Sequence, residues 1–147
     1  MTVSVQERSD ATVLMSRYVR AVDTGDTATV VDCFTDDATV SLEGGAIVNT
    51  GRAEVEAFFR KLQAGKQGIT THLVSNYGFE RTDSALVVHC VGIFAGFRKE
   101  GVVTMKGISY VVTCVVRGAD LRIQKLEHSS TWECAAPGGP RQPKSST

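Results

Sequence analysis

Two residues in this chain of 147 residues, Asp23 and His72, are of the types that carry out acid–base chemistry. Asp23 lies in "AVDTGD", where an amphipathic helix is about to end, and His72 lies in the apolar and hydroxylic stretch "ITTHLVSN". The helix dipole disfavours a carboxylate at that end by roughly 0.3–1 kcal/mol, so Asp23 needs a stabilising partner. If the partner is the His72 imidazole, the carboxylate selects the tautomer and raises the basicity of the ring, which then serves as a general base.

Each of these residues also has an ordinary structural interpretation. "DTGD" has the composition of a solvated turn, and a lone histidine in a strand is commonly a packed residue that hydrogen-bonds the backbone. Tyr18 lies one helical turn before Val22 and Asp23, so its ring is expected to point into the same cavity or to pack in the core. Taken alone, these residues leave both interpretations open.

His89 and His128 complete the histidines of the chain. No HxH or HxxxH spacing is present, so a metal site is not indicated. We interpret His89 as filling a half-buried strand, and His128, near the end of the last strand, as a rim or interface residue. The sequence contains no recognisable nucleophilic triad and no glycine-rich phosphate loop, and we expect no cofactor.

Three helices are predicted within the first 64 residues. The first is expected to begin after Ser9 or Asp10 and to end at Gly25, and Asp26 can cap a short second helix. The third runs from about Arg52 to Ala64 and presents one apolar face. The residues expected to be buried on these helices are Ala11, Leu14, Met15, Tyr18, Val22, Val30, Val31, Phe34, Val55, Phe58, Phe59 and Leu62.

Strands dominate the rest of the chain. "TDDATVSL" predicts one strand, and "EGGAIVNTG" predicts a hairpin and a turn before the third helix. Four long stretches rich in β-branched and aromatic residues follow, at 70–80, 84–97, 102–117 and 121–132. Helices in front of an antiparallel meander predict an α+β fold. We expect the strongly curved sheet and the three helices to form a cone-shaped α+β barrel around a deep pocket.

The order of these segments resembles the SnoaL-like branch of the nuclear-transport-factor-2-like superfamily over residues 10–132. The likeness is carried by "RAVDTGDTATVVDCFTDDATV", "GRAEVEAFF", "TTHLVSN", "MKGISYVV" and "LRIQKLEHSSTW". Within that branch the chain is most similar to the scytalone dehydratase type, in which an Asp ending the first helix hydrogen-bonds a His on the strand after the third helix. Asp23 and His72 match those two positions, and the resemblance therefore implies a catalytic Asp–His dyad.

Several other polar positions of that pattern are not kept. Val22 and Leu42 replace two tyrosines, Phe97 falls near a second catalytic histidine, and Val111 and Thr113 replace a serine and an asparagine. Such a pocket implies a small hydrophobic substrate, cyclic or polyketide-like. The predicted substrate-binding residues are Tyr18, Leu42, Phe58, Leu62, Phe97, Val111 and Thr113.

Two classes of function are compatible with these residues. The first is a cofactor-independent lyase, isomerase or cyclase, such as a dehydratase, that uses Asp23 and His72 on the small hydrophobic substrate. The second is a non-catalytic small-molecule-binding protein or an oligomerisation subunit, like the β chain of ring-hydroxylating dioxygenases. The missing polar positions favour the second class, whereas the presence of both Asp23 and His72 favours the first, which is our expectation.

Composition restricts the partners and the surroundings. The chain has 16 Lys and Arg and 16 Asp and Glu, so no net field attracts nucleic acid or an anionic membrane. The four cysteines are scattered without a CxxC pair, which favours free thiols in a reducing cytoplasm. The N-terminal segment lacks the order of a signal peptide.

The sequence also indicates the domain boundaries and the assembly of the chain. We expect one domain at residues 1–134 and a flexible tail at 135–147, which contains all three prolines. Both faces of the long strands are apolar, whereas a pocket accounts for only one of them. We therefore expect a homodimer joined through the outer surface of the sheet.

Overall fold

Residues 2–66, 68–98 and 101–137 are described by the computed structural model. They form three α-helices in the first half of the chain and six strands of one sheet. The helices are α1 (Val5–Thr24), α2 (Thr27–Asp32) and α3 (Arg52–Ala64). The strands are β1 (Phe34–Leu42), β2 (Ile47–Thr50), β3 (Gly68–Arg81), β4 (Leu86–Arg98), β5 (Val102–Arg117) and β6 (Asp120–Pro137).

The sheet has the strand order β2-β1-β6-β5-β4-β3. Neighbouring strands are antiparallel, except that β1 runs parallel to β6. The three helices pack against this curved sheet and close it into a cone, which confirms the predicted α+β architecture. None of the helices in the described part of the chain has both the length and the apolar character needed to cross a bilayer.

Helix α1 begins five residues earlier than the predicted Ser9 cap would place it. Ser4 is the N-cap: its hydroxyl accepts a hydrogen bond from the Glu7 backbone N–H, and the Glu7 carboxylate accepts one from the Ser4 N–H. This capping box supplies the start signal without any apolar stripe, which is why the helical periodicity pointed to a later residue. The end of α1 is as predicted, because Gly25 adopts a left-handed φ of 77°.

The core lies between α1, α3 and the concave face of the sheet. All five residues predicted on the inner face of α1 are buried, as are Val55 and Phe59 of α3. The strands contribute alternate residues, since successive side chains in a strand point to opposite faces. The strand residues buried in this core include Val40, Val88, Ile108, Tyr110, Val112, Ile123 and Leu126.

Irregularities in the register bend the sheet. The pairing of β3 with β4 shifts between Ser75 and Gly78, and Asn76 there has a φ of 55°. Pairing of β5 with β6 shifts twice, once between Gly107 and Ile108. Each extra residue increases local twist and moves the following side chains to the other face.

Strand β6 extends further than expected. Pro137 pairs with Val102 at the end of β5, so ordered structure continues three residues beyond the predicted domain end at residue 134. The pairing partner for this segment is the first part of β5, which local composition does not reveal. The rest of the predicted flexible tail (135–147), which is residues 138–147, lies outside the described residues.

Gly92 on β4 provides a test of how closely the curved strands approach each other. A Cβ at this position would overlap the main-chain oxygen of Leu73 on β3, and no side-chain rotation could relieve that contact. We expect Gly92→Ala to lower the free energy of unfolding by about 1–3 kcal/mol, measured by chemical denaturation. Gly78→Ala on β3 is the control, because its Cβ would meet nothing closer than the His89 Cβ at 3.7 Å. Equal stability of the two variants would contradict the close approach.

Candidate functional site

A cavity of about 700 Å³ lies between the concave face of the sheet, α1 and α3. Its wall is mainly apolar, and the polar groups that reach it come from a few positions on the strands. The apolar part of the wall includes Phe58, Phe59, Leu62, Phe94, Phe97 and Ile108. A space of this size, apolar with a few convergent polar groups, suits a small organic molecule.

Asp23 and His72 meet in the wall of this cavity. The Asp23 carboxylate accepts a hydrogen bond from the His72 backbone N–H at 2.8 Å, and its other oxygen lies 2.6 Å from His72 Nδ1. Thr70 Oγ1 donates to that second oxygen at 3.1 Å. An ionised carboxylate only accepts hydrogen bonds, so Nδ1 of His72 carries a proton, and in the neutral ring Nε2 is the nitrogen with the lone pair.

The surroundings of this pair are largely closed to water. The His72 side chain is 12% exposed and that of Asp23 is 18% exposed, and the His72 ring packs edge-on against Phe94 with ring centroids 5.1 Å apart. Limited hydration strengthens the hydrogen bond between the imidazole and the carboxylate. The arrangement therefore holds His72 in one orientation as a group able to accept a proton at Nε2.

The end of α1 that carries Asp23 is held by side chains from α3 and the turn after it. Gln63 Nε2 donates to the Val22 carbonyl oxygen at 2.8 Å, and Lys66 Nζ donates to the Asp23 carbonyl oxygen at 2.6 Å. These contacts pair carbonyl groups that a helix end leaves unsatisfied, and the Lys66 charge opposes the negative end of the helix dipole. Asp23 is consequently fixed by its backbone as well as by its carboxylate.

A second polar cluster lies on the β5–β6 part of the wall. The rings of Tyr110 and His128 lie with centroids 5.2 Å apart, and both line the cavity. Burial raises the pKa of Tyr110 well above its usual range, and the nearby Tyr18, Cys90 and Asp23 act in the same direction. Burial also lowers the pKa of His128. Both groups are therefore neutral near pH 7.

The placement of His128 corrects its interpretation as a rim or interface residue. It lies two residues after the buried Leu126, on the same inward face of β6. That alternation was the available signal, but a register shift between Ile123 and Lys125 reverses it in the first part of β6. The interpretation of His89 as half-buried is also wrong, because this residue is exposed on the outer face, where its Nε2 lies 3.9 Å from Glu80.

Most of the predicted lining residues reach the cavity, and two do not. Tyr18, Leu42, Phe58, Leu62 and Phe97 contribute to its wall. The prediction that Val111 and Thr113 line it is wrong, because they point to the outer face of β5.

The inward residues of β5 are instead the even-numbered ones, including Lys106, Ile108 and Tyr110. In "ISYVVTCVV" the even positions are all apolar, whereas Ser109 and Thr113 are at odd positions, so the alternation indicates the even set. The prediction followed the resemblance to a family instead.

Charged side chains lie at the wider part of the cavity. Lys106 Nζ lies 3.6 Å from the Glu133 carboxylate, and Glu43, Lys66 and Arg98 also border the space. Within the residues that the structure describes, no three His, Cys, Asp or Glu side chains are grouped as a metal site requires.

Comparison with known families identifies the sequence over most of its length. The profile of the SnoaL-like domain matches residues 3–127. That range includes both Asp23 and His72, as well as five of the six strands and the start of β6.

Comparison with solved structures shows the same fold. A protein provisionally named an aromatic ring hydroxylase, from Novosphingobium aromaticivorans, has a TM-score of 0.83 at 21% identity over 92% of this chain and 96% of that chain. A provisionally named scytalone dehydratase from the same species has 0.80 at 18% identity over 92% and 93%. A type 2 hexachlorocyclohexane dehydrochlorinase has 0.83 at 17% identity over 96% of each chain. At these identities the likeness shows the fold alone.

The tautomer of His72 can be tested directly through Asp23→Asn. The His72 backbone N–H can only donate, so the amide oxygen of the new Asn is expected to remain there and its NH₂ to face Nδ1. The ring should then carry its proton on Nε2. Nitrogen-15 NMR of labelled histidine in both proteins measures the change, with His89 as the internal reference. An unchanged Nδ1–H tautomer in the variant would contradict this hydrogen-bond assignment.

Proposed function

The chain belongs to the SnoaL-like domain family, and from this premise we propose that it is a cofactor-independent enzyme acting on a small hydrophobic molecule. In this proposal His72 is the general base and Asp23 orients it and stabilises its protonated form. The observation that carries the proposal is the 2.6 Å contact between Asp23 and His72 Nδ1 in the wall of an apolar cavity. The contact leaves Nε2 free to take a proton from a bound molecule.

The proposed reaction begins with transfer of a proton from the substrate to His72 Nε2. The electron pair left on carbon can expel a group from the neighbouring carbon, which makes the enzyme a lyase such as a dehydratase. It can instead be reprotonated elsewhere, giving an isomerase, or attack a carbonyl in the same molecule, giving a cyclase. In each case the Asp23 carboxylate stabilises the imidazolium that forms, and the apolar wall keeps competing water away.

A non-catalytic binding role is the competing proposal, and a specific observation favours it. Leu42 and Phe97 border the cavity at positions where the scytalone dehydratase type has polar groups. A cavity with fewer polar groups can retain an apolar molecule without transforming it. The two proposals differ in whether His72 has any effect on turnover.

Hydrogen–deuterium exchange distinguishes catalysis from binding. The probe is 2-indanone, a small bicyclic ketone whose CH₂ groups beside the carbonyl are weakly acidic. We expect the protein to accelerate deuterium incorporation at those carbons in D₂O, measured by proton NMR. Asp23→Asn and His72→Ala should each lower the rate by about 10²–10⁴-fold, as is typical for the loss of general acid–base catalysis. The double variant should lose little more than the worse single one, because the pair acts as a unit.

The matched control is His89→Ala, which removes an exposed histidine from the outer face of the sheet. Its exchange rate should equal that of the wild type. A near-normal rate in His72→Ala would contradict the catalytic proposal and support the binding role.

We also propose that a second copy of this chain covers the outer face of the sheet. One row of paired positions crosses four strands there: Leu73 on β3, Ile93 on β4, Gly107 on β5 and Trp132 on β6. The indole of Trp132 lies over Gly107, so the row is apolar throughout. Leu73, Ile93 and Trp132 are 65%, 38% and 48% exposed, which is an unfavourable surface for an isolated chain.

The proposed homodimer predicts a measurable mass. Multi-angle light scattering at micromolar concentration should give about twice the 15.8 kDa of one chain. Leu73→Glu should shift the protein toward the monomer, because a carboxylate would be buried without a partner at the interface. Glu80→Ala, also on β3 and outside the apolar row, is the control and should leave the mass unchanged. A monomeric wild type would rule out this assembly.

A further inference from the structure

The cavity has polar groups on a strand that is separated from the strand of His72 by two others. His72 is on β3, at one edge of the sheet, and His128 is on β6, with β4 and β5 between them. Both residues border the same space because the sheet is strongly curved. The surface between them is provided chiefly by aromatic and aliphatic side chains, including Phe94 and Ile108. A bound molecule can therefore contact His72 with one group and His128 with another.

One ring nitrogen of His128 has no hydrogen-bond partner among the described residues. This nitrogen is Nδ1, and it is buried. The backbone of His128 acts to raise the pKa of the ring, but it forms no hydrogen bond with Nδ1. The protein closes off Nδ1, so a bound molecule cannot supply its missing partner, and Nε2 is the ring nitrogen left to hydrogen-bond a ligand. Because Nδ1 is the buried nitrogen, Nε2 is the one directed toward the cavity that the ring lines.

The charge state of His128 follows from its neighbours. Burial is the main factor that lowers its pKa, and Lys106 and a protonated His72 act in the same direction, whereas Glu43 raises it. A neutral imidazole has one N–H donor and one acceptor. His128 can thus form a hydrogen bond with a carbonyl or a hydroxyl group without introducing a charge into the apolar cavity.

Building on the function proposed above, we propose that His128 is a substrate-binding residue whose imidazole hydrogen-bonds an oxygen substituent of the substrate. The substrate class is then narrower than a small hydrophobic molecule. It is an apolar ring compound with one carbonyl or hydroxyl directed toward β6 and the reacting C–H or O–H directed toward β3. No bond is made or broken at His128, which orients the molecule so that His72 Nε2 meets the proton it removes.

A matched pair of ligands tests this assignment. The probes are 2-indanone and indane, which share one ring skeleton and differ by the carbonyl. Affinities of both are measured by NMR titration for the wild type, His128→Leu and the control His89→Leu. The readout is the ratio of the 2-indanone affinity to the indane affinity. The two ligands differ in hydration, but that difference is the same for every variant and cancels when the ratios are compared.

We expect His128→Leu to shift the ratio against 2-indanone by about tenfold, as leaving the carbonyl without a partner in an apolar wall would produce. Indane affinity should be unchanged within about twofold. His128→Gln, which keeps a donor and an acceptor, should recover part of the ratio. In the wild type, the nitrogen-15 signals of His128 should move with 2-indanone and not with indane.

The inference is overturned if the ratio is the same in the wild type and His128→Leu, including the case in which the cavity takes up neither compound. Its failure is distinguishable from failure of the proposed function. A shifted ratio without deuterium exchange by the wild type would reject His72 catalysis alone. Exchange that depends on His72 together with an unshifted ratio would reject the role of His128 alone.

Discussion

The Asp23 carboxylate is the interaction on which the site depends. It joins the C-terminal end of α1 to β3 through the Thr70 hydroxyl, the His72 backbone and the His72 ring. Strand β3 is at the edge of the sheet, where backbone N–H groups lack a neighbouring strand. The carboxylate satisfies one of these donors and orients the imidazole with the same group. The interaction that closes the cone on this side is therefore also the one that prepares His72 chemically.

Alternation along the curved strands is the second constraint. On β5 it directs Tyr110 and Ile108 into the cavity and Val111 and Thr113 outward. On β3 the register shift after Ser75 moves the inward set from even to odd positions, so that Val74 and Tyr77 both pack on the core. The chemistry available to a ligand is consequently decided by bulges that place single side chains, as much as by the residue types present.

The secondary structure was largely predictable because its signals are local. Gly25 and Asp26 bound two helices, α3 occupies the expected residues, and turn sequences separate the long strands. The SnoaL-like family and the cone-shaped fold were also recognised correctly from the ordered segments. Features that depend on distant pairing were not predicted: β6 continues to Pro137 because β5 offers it a partner.

The candidate site was predicted only in part, because it too depends on contacts between residues that are far apart in the chain. Asp23 and His72 are 49 positions apart, and it was the resemblance to a family that indicated their proximity. Val111 and Thr113 were misplaced by one residue of parity, because their prediction followed the resemblance to a family and not the alternation of this strand. His128 was missed because the register shift between Ile123 and Lys125 reverses the alternation along β6, so that counting from Ile123 places His128 on the outer face.

The replacement of polar groups by Leu42 and Phe97 has a consequence for the chemistry under the proposed function. Proton transfer to His72 leaves a negative charge on the substrate, and an apolar wall stabilises that charge poorly. The Asp23 carboxylate stabilises the imidazolium but not the substrate anion. The compensation must then come from the substrate itself, through a conjugated carbonyl or a stable leaving group, or from a donor such as the Tyr110 hydroxyl or the His128 imidazole. A cavity built in this way favours substrates whose C–H is already acidic over those that need strong stabilisation by the protein.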